Sequence, residues 1–185
     1  MISDIQKDTQ ARMAKSVEAL RHDLTKVRTG RASTALVEHL KVNYYGAEMP
    51  LSQVASIAIT DARSLTITPW EKQMVSPVEK AILGSDLGLT PNTAGTVIRI
   101  NLPALTEERR KELSKHVHSA GEDSKVAIRN IRRDANQQVK ELLKEKQVTE
   151  DEASRSEADI QKLTDKAIKD VDEGVRAKEQ ELMAV

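Results

Sequence analysis

Apolar residues recur along this chain in two rhythms. Over residues 3–28, Met13, Val17, Leu20, Leu24 and Val27 alternate steps of four and three, the heptad seam of a helix packed along its length. Ser3 and Gln6 have capping-box spacing at its start, and Gly30 ends it. Residues 31–104 change to alternation. Val42 and Tyr44, followed by Gly46, predict a strand and a turn. Residues 54–60 alternate up to a turn at 61–64, and Leu65–Thr68 alternates again. Ser76-Pro77-Val78-Glu79 predicts a short helix with Ser76 as cap and Pro77 first inside, ending near Gly84. Residues 85–92 read as loop, and Ile98, Ile100 and Leu102 as a last strand stopped by Pro103.

The helical rhythm then returns. Thr106 caps a helix over 106–147, with Leu113, Val117, Ala120, Ala127, Ile131, Ala135 and Leu142 as its seam. Gly121 lies inside it at a cost of about 1 kcal/mol against alanine, which makes it a place where the helix can kink. Thr149 and Glu152 form a capping box for a last helix over 149–183, with Ile160, Leu163, Ala167, Val171, Val175 and Leu182 on its apolar face. At about 1.5 Å per residue the three long helices measure roughly 40, 60 and 50 Å. None can bury its seam alone, so they pack together. The expectation is an α+β protein: an elongated three-helix bundle from 1–30 plus 105–185, with a small β/α/β domain, 31–104, inserted into it.

Composition sharpens this picture. One Trp, two Tyr and no Phe in 185 residues leave little for a thick globular core and suit long helices packed along narrow seams. No cysteine is present, which excludes disulfides and thiolate metal sites. The opening MISDIQKDTQARMAK lacks the apolar segment of a secretory signal, and no run approaches the roughly 18 apolar residues of a membrane helix. A cytoplasmic protein with no membrane contact is expected.

The net charge of zero conceals an asymmetry. The first 30 residues carry six Lys/Arg against four Asp/Glu, residues 106–148 eleven against eight, and residues 149–185 six against eleven. Lys125, Arg129, Arg132 and Arg133 fall at i, i+4, i+7 and i+8, with no acid over 124–133. They share a sector of about 100° on the helix, roughly 130° from the predicted seam, and Asn136, Lys140 and Lys144 continue it. Arg21 and Arg28 stand seven apart on the first helix. A charged helix face is ordinarily only solvated, and exposed ion pairs contribute little. An uninterrupted arginine stripe without acidic partners differs, because guanidinium forks onto phosphate oxygens. So few aromatics disfavour stacking on single strands; folded RNA read through backbone and shape fits better.

Other chemistry finds little support. His116 and His118 are two apart on a helix and point to different faces, so no metal site is expected. No phosphate-cradling glycine loop and no placed triad is present, so no catalytic residue and no cofactor is expected. Tyr44-Tyr45 reads as packing rather than a base platform, and the spacing leaves Trp70 undecided between core and surface.

Five strings, in order, carry a resemblance: Arg28-Thr29-Gly30-Arg31-Ala32-Ser33, Tyr44-Tyr45-Gly46, Ser85-Asp86-Leu87-Gly88-Leu89, Leu105-Thr106-Glu107-Glu108-Arg109-Arg110-Lys111, and Arg129-Asn130-Ile131-Arg132-Arg133-Asp134-Ala135-Asn136. Together, over the whole chain, the sequence resembles the bacterial ribosome recycling factors. The resemblance implies an L-shaped molecule: a three-helix bundle and a β/α/β domain hinged at Gly30-Arg31 and at Pro103, Ala104 and Leu105. It implies a monomer that binds the large ribosomal subunit through ribosomal RNA and, with elongation factor G, splits post-termination ribosomes without hydrolysing anything itself. Arg129, Arg132 and Arg133 match the family's RNA-facing stripe, and Arg28 and Arg31 its helix-end and hinge basics. Thr34 stands where the family often has proline, and His118 where a basic residue is common. The competing reading is a coiled-coil adaptor that dimerises through its seams and ignores ribosomes.

Overall fold

The structure is a computed structural model that describes residues 1–27 and 29–184. The chain divides into two compact units, residues 1–29 with 107–185, and residues 30–106.

The first unit holds helices α1 (Ile2–Thr25), α3 (Glu107–Lys144) and α4 (Glu150–Met183). α1 buries Met13, Val17, Leu20 and Leu24, so the heptad spacing becomes a packed seam. The expected Ser3–Gln6 capping box does not form. The helix begins at Ile2 without a side-chain cap, and Gln6 donates instead to Asp159 on α4 at 3.3 Å. The helix also stops short of the expected residue 28. Thr25 Oγ1 donates back to the His22 carbonyl at 2.6 Å, and Lys26 and Val27 turn in i−3 bonds.

Helix α3 runs unbroken through Gly121. A Cβ built on Gly121 would lie 2.6 Å from Val175 Cγ2 on α4, so the packing of α4 leaves no room for a side chain here. The buried set on α3 is Val117, Gly121, Ser124, Ile128, Ile131, Ala135 and Val139. That set replaces the expected seam at Ala120, Ala127 and Leu142, which are only half-buried. Small residues at a close approach are core as fully as large ones, and an apolarity count overlooks them. The correction turns the core direction of α3 by about 40°.

The turn from α3 to α4 closes with two bonds, Gln147 N to Leu142 O at 2.9 Å and Lys146 N to Leu143 O at 3.0 Å. Together with Lys146 at φ 58° these define a Schellman cap, with lysine at the left-handed position that glycine usually fills. The Thr149–Glu152 capping box then starts α4 as expected. Contacts 121 to 175, 125 to 172 and 132 to 161 run α3 and α4 antiparallel. Contacts 6 to 159 and 24 to 174 run α1 parallel to α4.

The second unit holds a hairpin, β1 (Lys41–Tyr44) and β2 (Ala47–Pro50), and four more strands: β3 (Ala55–Asp61), β4 (Ser64–Pro69), β5 (Pro91–Ala94) and β6 (Val97–Asn101). The four pair antiparallel in the order β3-β4-β6-β5. One face carries Leu65 opposite Ile100 and Ile67 opposite Ile98, all fully buried in one core with Val78 and Ile82 of helix α2 (Val75–Leu83). α2 continues directly from a 3-10 turn at Lys72–Met74, so the expected Ser76 cap is not used. Burial of Met74 draws the helical path one turn earlier. β2 and β5 escape sequence reading because each has four residues and neither alternates; β5 opens on a proline that only an edge strand tolerates. Part of the expected 85–92 loop is therefore strand. Gly30, at φ 78°, packs against Leu105, which a Cβ would meet at 3.5 Å.

Candidate nucleic-acid interface

The stripe forms on α3 but is not uniform. Measured from the observed core direction at 100° per residue, Arg132 lies about 55° away, Lys125 about 75°, Arg129 about 115° and Arg133 about 155°. Burial follows that slant: Arg129 and Arg133 are exposed, while Lys125 and Arg132 are half-buried beside α4.

The partners differ as well. Among the described residues Arg129 has no hydrogen bond or ion pair. Arg133 donates to the neutral side chain of Asn130 at 3.4 Å. Arg132 donates to Gln161 Oε1 on α4 at 3.4 Å, and the same amide donates to Asp165 at 2.9 Å. An amide thus stands between Arg132 and Asp165, so the guanidinium is oriented without being neutralised.

Lys125 is in another situation. Its ammonium lies 2.5 Å from Asp172 on α4 and 3.4 Å from Glu122. The hydrogen bond to Asp172, with the charges of both acids, holds it protonated above the ordinary lysine range, against a smaller opposing effect of burial. The expectation that the stripe lacks acidic partners fails at this residue. Acid-free spacing along one helix says nothing about the acids a neighbouring helix brings.

Asp134, inside the arginine string, pairs across the other flank with Arg12 of α1 at 3.1 Å and leaves the stripe uncompensated. Asn136 is half-buried, with an Oδ1 that has no partner. Lys140 and Lys144 are exposed. Arg21 lies beside Met13, Val17, Leu163 and Asp170, in the groove between α1 and α4. Arg132 and Lys125 meet the opposite flank of α4, so Arg21 and the α3 stripe are not one patch. Arg28 lies outside the described residues. Arg31 belongs to the second unit.

In the second unit Tyr44 and Tyr45 pack edge to face with centroids 4.7 Å apart. Their hydroxyls donate to the two oxygens of Glu71, at 2.8 and 2.7 Å. Those two bonds lower the Glu71 pKa and raise both tyrosines. Trp70 is 65% exposed, which settles it as surface. Among the described residues no group of three or more His, Cys, Asp or Glu is placed to hold a metal, and no helix is long and apolar enough to cross a membrane.

Fold and site together define a three-helix bundle with a cationic face and an inserted antiparallel α/β unit. The profile of the ribosome recycling factor family matches residues 20–183, and the chain belongs to that family. It is 69% identical, over the full length of both chains, to the ribosome-recycling factors of Xanthomonas campestris pv. campestris strain B100 and Xanthomonas oryzae pv. oryzae strain PXO99A. Among solved structures it resembles a solution structure of ribosome recycling factor, at 41% identity and TM-score 0.79, over 100% of this chain and 98% of that one. It also matches, at 46% identity and TM-score 0.65 over all of both chains, a chain from models of the T. thermophilus ribosome recycling factor and the E. coli elongation factor G bound to the E. coli post-termination complex.

Proposed function

We propose that this chain recycles ribosomes: together with elongation factor G it separates post-termination ribosomes into subunits for a new round of protein synthesis. The observation that carries this is full-length similarity at 69% to ribosome-recycling factors, joined to an arginine face with no acid partner at Arg129, Arg132 and Arg133. Those three arginines, continued by Asn136, Lys140 and Lys144, meet phosphates of large-subunit ribosomal RNA. Arg21, on the far flank of α4, makes a separate contact. The protein acts in the cytoplasm as a monomer, uses no cofactor and catalyses no reaction of its own; the energy of splitting comes from the GTPase partner. The small unit turns about Gly30 and Arg31 on one crossing and Pro103, Ala104 and Leu105 on the other, since two thin connections make relative motion the default.

The adaptor reading has less support, because the three seams bury one another within a single chain. Light scattering of post-termination ribosomes, mixed with elongation factor G, GTP and this protein, tests the proposal. Splitting that requires the protein is the expected result. Ribosomes that stay whole at saturating protein refute it.

A further inference from the structure

We infer that Asp172 withholds Lys125 from RNA, so that of the four stripe cations on α3 only Arg129, Arg132 and Arg133 bind phosphate. The inference rests on the reading of α3 as the RNA face. It goes beyond that reading by fixing where the face ends and which residue ends it.

The four cations share one helix sector in the sequence, and the fold makes them unequal. Lys125 is clasped by two carboxylates, Asp172 at 2.5 Å and Glu122 at 3.4 Å. Its side chain is 18% exposed, whereas that of Asp172 is 46% exposed. One ammonium between two carboxylates leaves a local charge of minus one, with an acid as its outermost group. An approaching phosphate meets repulsion there and must displace an existing partner to reach the lysine. At Arg129 it meets a bare guanidinium. At Arg132 and Arg133 it meets guanidiniums whose partners are neutral amides. Asp172 therefore acts as an internal phosphate surrogate. The protein gains a defined edge to its footprint and a weaker hold, which suits a factor that must leave the ribosome after every round.

The test is a salt titration of the fluorescently labelled full-length protein on purified bacterial large ribosomal subunits. Each neutralised phosphate contributes about 0.7 to 0.9 to the slope of log affinity against log salt, depending on the nucleic acid. Asp172→Asn should free Lys125, steepen the slope by about that amount, and tighten binding several-fold at about 0.1 M salt. Glu122→Gln should act in the same sense but less, being farther away. Lys125→Met should abolish the gain in the Asp172→Asn background. Melting curves check that each variant is folded; if Asp172→Asn is not, Glu122→Gln with and without Lys125→Met decides. An unchanged slope for folded Asp172→Asn overturns the inference. So does a gain that survives Lys125→Met. Arg129, Arg132 and Arg133 replaced together by alanine separate this from the wider reading. If that variant keeps the full slope, the RNA face is misplaced and the inference falls with it. If it flattens the slope while Asp172→Asn changes nothing, the inference alone falls.

Discussion

Gly121→Ala sets two opposed effects against each other at one methyl group. Helix propensity favours the substitution by about 1 kcal/mol, because glycine is the poorest ordinary residue inside a helix. Packing opposes it. The new Cβ would sit 2.6 Å from Val175 Cγ2 and 3.9 Å from Val171 Cγ1, both on α4. Ordinary contact needs nearly 1 Å more at the first. Val175 cannot swing away cheaply, since a β-branched side chain in a helix has one strongly preferred rotamer. Overpacking of this kind costs about 1–3 kcal/mol. The net expectation is a loss of up to about 2 kcal/mol, or a fall in melting temperature of several degrees for a chain of this size. Urea unfolding followed by far-UV circular dichroism reads it; fluorescence does not, because Trp70, the single tryptophan, sits in the other unit. In a Val175→Ala background the clash disappears and only the propensity gain remains. Gly121→Ala should then stabilise, with a coupling between the sites of roughly 1–3 kcal/mol. If Gly121→Ala stabilises equally in both backgrounds, α3 and α4 do not approach closely here.

Three further expectations follow from local geometry. Lys146→Gly should stabilise the bundle by roughly 0.5–1 kcal/mol in urea unfolding, because it removes a side chain from a left-handed φ of 58° at the α3–α4 turn. Thr149→Ala should cost about 1 kcal/mol and speed amide exchange in the first turn of α4, because it opens the capping box with Glu152. The Glu71 carboxyl, held below the ordinary glutamate range by Tyr45 and Tyr44, should titrate low in an NMR pH series. Its contribution to the hairpin is present above the ordinary glutamate value and is lost as pH falls through the lowered one. Glu71→Gln should remove that acid-side loss.

The apolar repeats of α1 and α4 are legible in the sequence, although Leu163 and Val175 of the α4 face are only half-buried. Met13, Val17, Leu20 and Leu24 on α1, and Ile160, Ala167, Val171 and Leu182 on α4, are buried where their spacing places them. The seam of α3 is legible only at Val117, Ile131 and Ala135, because Gly121 and Ser124 pack in the core without being apolar in any count. β2 and β5 were missed because short edge strands with exposed side chains carry no alternation. In the arginine stripe, the sector could be read from i, i+4, i+7, i+8 spacing alone. The unequal standing of its members could not, because Asp172 and Gln161 lie tens of residues away and reach Lys125 and Arg132 only through packing. Arg21 carries the same charge as the stripe, and only the order of helices around the bundle shows that α4 stands between them.

The central claim is that the outward arginines of α3 are what hold this protein on ribosomal RNA. The most direct measurement compares the salt dependence of large-subunit binding for the natural protein and for Arg129→Ala/Arg132→Ala/Arg133→Ala, with circular dichroism confirming equal helicity. The predicted result is a shallower slope by about 2 to 3, reflecting up to three lost phosphate contacts, at unchanged helix content. A triple variant that binds with the natural slope, or that loses binding only in proportion to lost helix, would contradict the claim.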